Sequence, residues 1–267
     1  MAQPTHVFDD SAGYERFMGR WSRAVAPIFL EWVAMGPRAN WLDVGCGTGT
    51  LAATMLQLCE PASVHAIDSS PDQIAAAAAI PATEGAQFQV ADAGQLPFAR
   101  GSFDVVASAL VINFIPDRPK ALAEMLRVTR PGGVVAGFVW DFAEDLSPSG
   151  PLRVAMRRIG IDAPPVPGTD ESRLDTLQAL FEAAGFEQIE TRTIDVCLAY
   201  QDFQDFWLAQ TPGYAPLTKM INTLGASDRL RLRRAVGSSL PRGPGGVIEY
   251  HARANAVKAR VPAIDSA

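Results

Sequence analysis

The feature that most constrains this chain is a glycine-rich segment, Leu42-Asp43-Val44-Gly45-Cys46-Gly47-Thr48-Gly49-Thr50. Apolar residues 41–44 predict a β-strand before the turn, and the apolar spacing over residues 48–58 predicts a helix after it. Alternating glycines remove three Cβ atoms, so the backbone can approach a ligand beside the free amides of the helix start. The pattern predicts a strand, turn and helix with a ligand at the turn, although a tight turn without a ligand has the same outline.

Acidic residues follow the first three predicted strands at positions that suit a nucleoside. Asp68 lies 19 residues beyond Gly49, where a carboxylate can accept hydrogen bonds from both ribose hydroxyls. Asp92 follows the third strand and could bind an adenine amino group while the Ala93 amide meets a ring nitrogen; a helix cap or turn role is the alternative for each. Asp43 would repel a pyrophosphate at the turn, whereas it suits an ammonium group.

Strand-like and helix-like stretches alternate along the first half of the chain, which is typical of a parallel sheet covered by helices. The helix predicted over residues 119–129 is expected to stop at Pro131-Gly132-Gly133. No linker is long or polar enough to separate domains, so we expect one domain over residues 1–267. Within it we expect an N-terminal helical cap (1–38), a cofactor-binding core (39–140) and a helical insertion (201–240). Strands are predicted at residues 41–44, 64–67, 88–91, 103–108, 134–139, 189–196 and 247–257.

Five segments over about residues 40–140 resemble the class I methyltransferase family, particularly the small-molecule branch similar to the ubiquinone and menaquinone C-methyltransferases. The resemblance implies a Rossmann-like three-layer α/β fold, with a mostly parallel seven-stranded sheet and an antiparallel last strand. It also implies S-adenosylmethionine as the cofactor. The matching segments, in family order, are LDVGCGTGT at 42–50, AIDSS at 66–70, ADAGQLPF at 91–98, SFDVV at 102–106 and LRVTRPGG at 126–133.

The resemblance also implies roles for the matching residues. Those around the glycine turn would hold the methionine end of the cofactor, and those after the second and third strands would hold its ribose and adenine. The segment around residues 14–23 resembles the family's leading helix, which folds over the cofactor. The implied cofactor contacts are Tyr14, Arg20, Asp43, Gly45, Gly47, Asp68, Ser69, Asp92, Ala93 and Ser108.

Candidate acceptor-binding residues are aromatic or amide side chains near the predicted carboxyl ends of the strands, where open α/β sheets place ligands. An aromatic cluster is also a usual part of a core, and that alternative stays open. Methyl transfer from a sulfonium needs positioning more than acid or base chemistry, and we assign no catalytic base and no metal ligand. The candidates are Trp21, Asn113, Trp140, Phe203, Trp207 and Tyr214.

Composition narrows the function classes. A net charge of −6 argues against a nucleic-acid partner, so we expect a small-molecule acceptor. Three widely spaced cysteines, the absence of an 18-residue apolar run and the lack of a secretory signal predict a soluble, cytoplasmic protein without a membrane span. A homodimer is possible. The alternative function is an S-adenosylmethionine-binding protein without transferase activity; the glycine spacing and the Asp92 segment disfavour a nicotinamide oxidoreductase.

Overall fold

The computed structural model describes residues 15–213 and 215–263, so Tyr14 and Tyr214 lie outside the described residues. Its centre is a seven-stranded sheet in the order β3-β2-β1-β4-β5-β7-β6. The strands are β1 (Asn40–Val44), β2 (Ser63–Asp68), β3 (Ala86–Val90), β4 (Phe103–Ala109), β5 (Thr129–Trp140), β6 (Glu187–Tyr200) and β7 (Ile248–Arg260).

Helices cover both faces of the sheet, as the predicted three-layer α/β fold requires. Buried residues of α1 and α2 form a core on one face, and those of α4 and α6 form a second core on the other. A π-helical turn, Glu15–Gly19, precedes the first helix. The helices are α1 (Arg20–Val33), α2 (Thr50–Leu58), α3 (Pro71–Ala78), α4 (Arg118–Val128), α5 (Gly150–Arg158), α6 (Leu174–Ala183), α7 (Phe203–Gln210), α8 (Pro216–Thr223) and α9 (Ala226–Ser239).

The strand directions agree with the predicted mixed sheet. β1 pairs in parallel with β2 and β4, and β4 pairs in parallel with β5, whereas β7 is antiparallel to both β5 and β6. β7 lies opposite Trp140 at Ala254 and continues to Ile248, opposite Tyr200. The last two strands therefore extend beyond the carboxyl end of β5. Helices α7–α9 connect their far ends, so this insertion lies toward the carboxyl edge of the parallel strands.

The helix predicted to stop at Pro131-Gly132-Gly133 does end just before that segment, but β5 begins at Thr129 rather than at residue 134. Helix α4 ends at Val128, and Thr129 is already extended, with φ −82° and ψ 138°. The Thr129 hydroxyl donates a hydrogen bond of 2.7 Å to the Met125 carbonyl, which also accepts the backbone amide of Thr129. β5 begins at Thr129 and includes the Pro-Gly-Gly segment, whose Gly132 amide donates to the Val261 carbonyl.

No helix among the described residues is long and apolar enough to cross a membrane. Within the same residues, His, Cys, Asp and Glu side chains form no group of three that could hold a metal ion.

Candidate cofactor and acceptor site

The glycine turn joins β1 to α2, and its glycines differ in the space that surrounds them. Gly45, Gly47 and Gly49 have φ values of +76°, +54° and +82°, a region that costs other residues energy. A Cβ on Gly45 would lie 2.6 Å from Val111 Cγ1, whereas a Cβ on Gly47 would meet nothing within 4 Å. Gly45 therefore allows close packing, while Gly47 leaves its backbone open to a ligand.

Asp68 connects the end of β2 to the glycine turn. Its Oδ2 accepts a hydrogen bond of 2.9 Å from the Gly47 amide, and its Oδ1 accepts one of 2.9 Å from the Ser70 amide. Each carboxylate oxygen has a further lone pair, so the half-buried side chain can still accept bonds from a diol. Ser69 is exposed beside it. The predicted position of both residues next to the turn is what the structure shows.

Asp43 is a fully buried carboxylate without a cationic partner among the described residues. Its side chain is 0% exposed, and the Ala52 backbone amide is the group that favours its ionised form. Desolvation, reinforced by the nearby Asp68 charge, raises the pKa of Asp43 to about 8, while the Ala52 amide acts in the opposite direction. Burying an unpaired charge is unfavourable, so a cationic ligand at this place would supply the missing partner. The orphaned carboxylate and the open Gly47 backbone fit the ammonium end of S-adenosylmethionine.

The segment after β3 lies beside Asp68, because the Ala91 amide donates a hydrogen bond of 3.0 Å to the Asp68 carbonyl. Asp92 Oδ1 accepts a bond of 2.6 Å from the Gly94 amide, which fixes a tight turn. Asp92 is exposed and Ala93 is half-buried. The structure therefore brings Asp92 and Ala93 to the same edge as the glycine turn, as predicted.

Ser108 and Asn113 already have structural partners. The buried Ser108 hydroxyl donates a hydrogen bond of 2.9 Å to the Val44 carbonyl and so joins the ends of β4 and β1. Asn113 is 0% exposed, and its side-chain amide donates to the Pro167 carbonyl at 3.2 Å. Ser108 lies at the predicted place beside the turn. Asn113 holds the proline-rich loop 161–169 against the start of α4, and only its unpaired Oδ1 is left for a substrate.

Three further predicted site residues, Arg20, Trp21 and Trp140, contact the end of β6 or each other. The Arg20 guanidinium donates to the Ala199 carbonyl at 3.2 Å and lies 4.9 Å from the centroid of the Tyr200 ring. Trp21 and Trp140 pack edge-to-face at 6.2 Å between centroids, with 0% and 1% exposure. These contacts place Arg20 at the end of β6, and they make both tryptophans part of the core in this conformation.

Phe203 and Trp207 lie on the outer side of the insertion. The Arg233 guanidinium is 5.5 Å from the centroid of each ring, and both aromatic side chains are half-buried. They are not in the group formed by Trp21 and Trp140. A basic groove of about 690 Å³ runs beside them, lined by Phe203, Leu230, Arg233, Arg234, Gly237, Ser238, Leu240 and Arg242.

Several residues around Trp21 were not predicted from the sequence, because only the tertiary fold brings them together. Tyr200, Phe206, Gln210 and Tyr250 come from the end of β6, from α7 and from β7, and they surround Trp21. No short-range spacing links them, and their order along the chain gives no signal. Tyr200 was the most accessible to prediction, because it ends a strand on the side where ligands bind.

Comparisons with known proteins agree with this arrangement. Residues 42–137 match the family model described as a methyltransferase domain. The chain is 37% identical over 100 residues to the trans-aconitate 2-methyltransferase of Deinococcus radiodurans, covering 38% of this chain and 37% of that protein. It is 32% identical over 129 residues to the malonyl-[acyl-carrier protein] O-methyltransferase of Serratia marcescens, covering 48% of this chain and 49% of that protein. The matches therefore span about half the length of these curated relatives or less.

A solved structure shows the same fold over nearly all of the chain. It is the phosphoethanolamine N-methyltransferase 2 of Haemonchus contortus in complex with S-adenosyl-L-methionine. The TM-score is 0.57 with 18% sequence identity, covering 98% of this chain and 60% of that one. The fold and the glycine turn are those of a Rossmann-like α/β domain. Residues 42–137 resemble the methyltransferase domain family, whose implied cofactor is S-adenosylmethionine.

Proposed function

We propose that the protein transfers the methyl group of S-adenosylmethionine to O, N or C of a small-molecule metabolite. One observation carries the proposal: the open backbone of Gly47 lies in the same turn as Asp43, a fully buried carboxylate that has no cationic partner among the described residues. A turn that served only to connect β1 and α2 would not require an unpaired buried acid. A cationic ligand with a nucleoside end accounts for Asp43 and for the free capacity of Asp68.

The residues of the site have distinct tasks in this proposal. Asp43 holds the ammonium of the methionine end, and the Gly45 and Gly47 backbone lines the same end. Asp68 binds the ribose hydroxyls with Ser69 beside it, while Asp92 and Ala93 frame the adenine. When bound, the cofactor supplies a methyl group on a positively charged sulfur, ready for in-line displacement by a nucleophile. The protein orients the acceptor on the far side of the methyl group and excludes water.

The remaining features of the proposal concern the whole chain. We propose a single domain in which α7–α9 cover the acceptor site from the carboxyl edge of the sheet. The acceptor is small, in line with the trans-aconitate in the name of one curated relative, and no nucleic acid takes part. We further propose a cytoplasmic location, where Cys46, Cys59 and Cys197 stay reduced, with a homodimer as the oligomeric state to test.

Thermal unfolding tests the cofactor part. The purified protein is heated alone, with S-adenosylmethionine, with S-adenosylhomocysteine and with NAD. A ligand at about 100 times its Kd stabilises the native state by about 2.7 kcal/mol, which raises the midpoint by several degrees. We expect a rise with both sulfur nucleosides and none with NAD. A rise with NAD alone would contradict the proposal.

Product formation tests the transferase part. Release of S-adenosylhomocysteine is measured over a panel of acceptors that begins with small carboxylic acids. Turnover that depends on one acceptor class supports a methyltransferase. Binding of both sulfur nucleosides without turnover of any acceptor favours the alternative, a protein that holds the cofactor but does not transfer its methyl group.

A further inference from the structure

A groove lies between the start of α7 and one face of α9. Its volume is about 690 Å³, within the range of about 300–1,000 Å³ that is usual for pockets that bind small molecules. Leu230, Arg234 and Gly237 line it, and their spacing of four and three residues places them on the same face of α9. Leu232 and Val236, on another face, are buried in the core. The groove therefore uses a face of α9 that the core does not cover.

Part of the lining is apolar. The Phe203 ring, from the start of α7, lies so close to α9 that a Cβ on Gly237 would be 3.4 Å from Phe203 Cζ. Leu230 also lines the groove and is 49% exposed. A bound molecule that covered these side chains would remove apolar surface from water, which favours binding. A ligand that fits this groove therefore has an apolar part.

The rest of the lining is mainly basic. Residues 226–242 contain five arginines and one acid, in a chain whose net charge is −6. The acid, Asp228, forms an ion pair of 2.8 Å with Arg231, and neither lines the groove. Within the described part of the chain, no carboxylate forms a salt bridge with the arginines that do line it. These are Arg233, Arg234 and Arg242.

Arg234 and Arg242 are neighbours in the groove. The Arg242 guanidinium donates a hydrogen bond of 3.5 Å to the Gly237 carbonyl, and Gly237 lies one helical turn after Arg234 on the same face. Both arginine side chains are exposed. Neighbouring guanidiniums can donate together to the oxygens of one phosphate group, a geometry for which arginine is well suited.

Arg233 is held in place by α7. Its guanidinium lies 5.5 Å from the centroids of both the Phe203 and the Trp207 rings, and it donates a hydrogen bond to the Gln204 side chain. A side chain that is already held loses less conformational freedom when a ligand binds. Arg233 therefore supplies a fixed positive charge beside the donors of Arg234 and Arg242.

The acids at the start of α7 are engaged in the backbone of that helix. Asp202 Oδ1 accepts a hydrogen bond of 2.8 Å from the Asp205 amide, and Asp205 Oδ2 accepts one of 3.0 Å from the Gln201 amide. Neither acid lines the groove, and no other acid does so among the described residues. Charges away from the groove are weakened by the surrounding salt solution, so the groove itself favours an anion.

We propose that the groove is a second ligand site, separate from the cofactor site, and that it binds a small organic phosphate with an apolar body. A phosphate monoester carries a charge of about −1.5 to −2 at pH 7 and three acceptor oxygens, which matches the donors of Arg234 and Arg242 beside the Arg233 charge. Its apolar body covers Leu230 and the Phe203 ring. A carboxylic acid brings a single charge, and a neutral molecule brings none. The inference rests on the groove alone and does not depend on which acceptor is methylated.

Calorimetric titration of the full chain tests the inference, with and without S-adenosylhomocysteine. The probe is octyl phosphate, kept below the concentration at which it forms micelles, and it is compared with inorganic phosphate, octanoate and 1-octanol. We expect octyl phosphate to bind at one site per chain, with the same affinity whether or not S-adenosylhomocysteine is present. Each comparison compound lacks the doubly charged head or the apolar body, so we expect each to bind at least tenfold more weakly.

Four variants at exposed positions locate the binding in the groove. Arg234→Gln and Arg242→Gln each remove one positive charge from the lining, and each is expected to weaken octyl phosphate binding about tenfold. Leu230→Ser removes apolar surface and is expected to weaken it about fivefold. Arg229→Gln is the matched control, because Arg229 is exposed on the same helix but does not line the groove. It changes the net charge by the same amount and is expected to leave the affinity unchanged.

Several results would overturn the inference. Octyl phosphate could fail to bind, or inorganic phosphate or octanoate could bind as tightly. Arg229→Gln could weaken binding as much as Arg234→Gln, which would show an effect of overall charge. Octyl phosphate could bind only without S-adenosylhomocysteine, which would place it in the cofactor site. Vesicles of phosphatidylglycerol could bind where free octyl phosphate does not, which would indicate a membrane surface. The proposed function is judged separately, by the binding of S-adenosylhomocysteine itself.

Discussion

The glycine turn and the aromatic cluster around Trp21, which includes Trp140, Tyr200, Phe206, Gln210 and Tyr250, differ in what supplies the partners of their buried polar groups. At the turn the buried Asp43 carboxyl, beside the half-buried carboxylate of Asp68, has no cationic partner among the described residues. In the aromatic cluster the Trp21 indole and the Gln210 amide both reach the Tyr200 hydroxyl, whose ring lies under the Arg20 guanidinium. The first place therefore suits a cationic ligand, whereas the second is largely satisfied within the protein.

The largest expected effect comes from removing the acid at the turn. Because the pKa of Asp43 is raised from 3.8 to about 8, the native state holds a proton between about pH 4 and pH 8 that the unfolded chain has released. Folding stability of the apoprotein therefore falls as pH rises through this window, by about 1.4 kcal/mol per pH unit. Asp43→Asn removes this dependence and is expected to be more stable than the wild type at pH 7, by up to about 4 kcal/mol. Urea unfolding of both proteins at pH 4, 5.5 and 7 measures this difference in the free energy of unfolding.

The binding of S-adenosylmethionine provides a second test of Asp43. At pH 6.5 the Asp43 carboxyl is protonated in the apoprotein, and pairing with the cofactor ammonium requires it to ionise. Calorimetry in buffers of different ionisation enthalpy should show release of nearly one proton per S-adenosylmethionine bound. The Asp43→Asn variant should bind at least tenfold more weakly and release no proton. Two results would contradict the assignment of Asp43 to the cofactor. The free energies of unfolding of the two proteins could change in parallel with pH, or both proteins could bind S-adenosylmethionine with equal affinity.

A second prediction separates packing from ligand access within the turn. Gly45→Ala combines a positive φ with a Cβ 2.6 Å from Val111, so we expect a loss of about 3 kcal/mol in the free energy of unfolding. Gly47→Ala has a positive φ but open space around its Cβ, so we expect a smaller loss of about 1 kcal/mol. The new methyl group of Gly47→Ala projects into the ligand space, and the cofactor-induced rise in unfolding temperature should disappear. Equal stability of the two variants would show that Val111 does not restrict Gly45.

The two regions also differ in how well the sequence predicted them. The glycine turn, Asp68 and Asp92 could be placed from the sequence because each follows a short apolar strand, and the carboxyl ends of parallel strands meet at one edge. The aromatic cluster could not be assembled in this way. Tyr200 and Tyr250 come together through the antiparallel pairing of β6 and β7, and no local spacing encodes which residues a long insertion covers.

Local chemistry explains the remaining differences between prediction and structure. The helix predicted over residues 119–129 ends at Val128, and the Pro131-Gly132-Gly133 segment after it belongs to β5. Arg20 was predicted at the cofactor, whereas the structure places it against Ala199 and Tyr200, so its cofactor role stays a prediction. The strongest sequence signals were therefore those carried by backbone geometry, and the weakest were those carried by long side chains.

The smallest expected effect separates the aromatic cluster from the outer groove of the insertion. Trp207 is half-buried and lies 5.5 Å from the Arg233 guanidinium, so Trp207→Ala should lower the free energy of unfolding by only about 1 kcal/mol. Trp140→Ala, in the core, should lower it by about 3–5 kcal/mol. Because Trp207 lies on the outer side of the insertion, its loss should change the KM for the acceptor less than threefold. A tenfold rise in that KM would instead support the sequence-based prediction that this tryptophan contacts the acceptor.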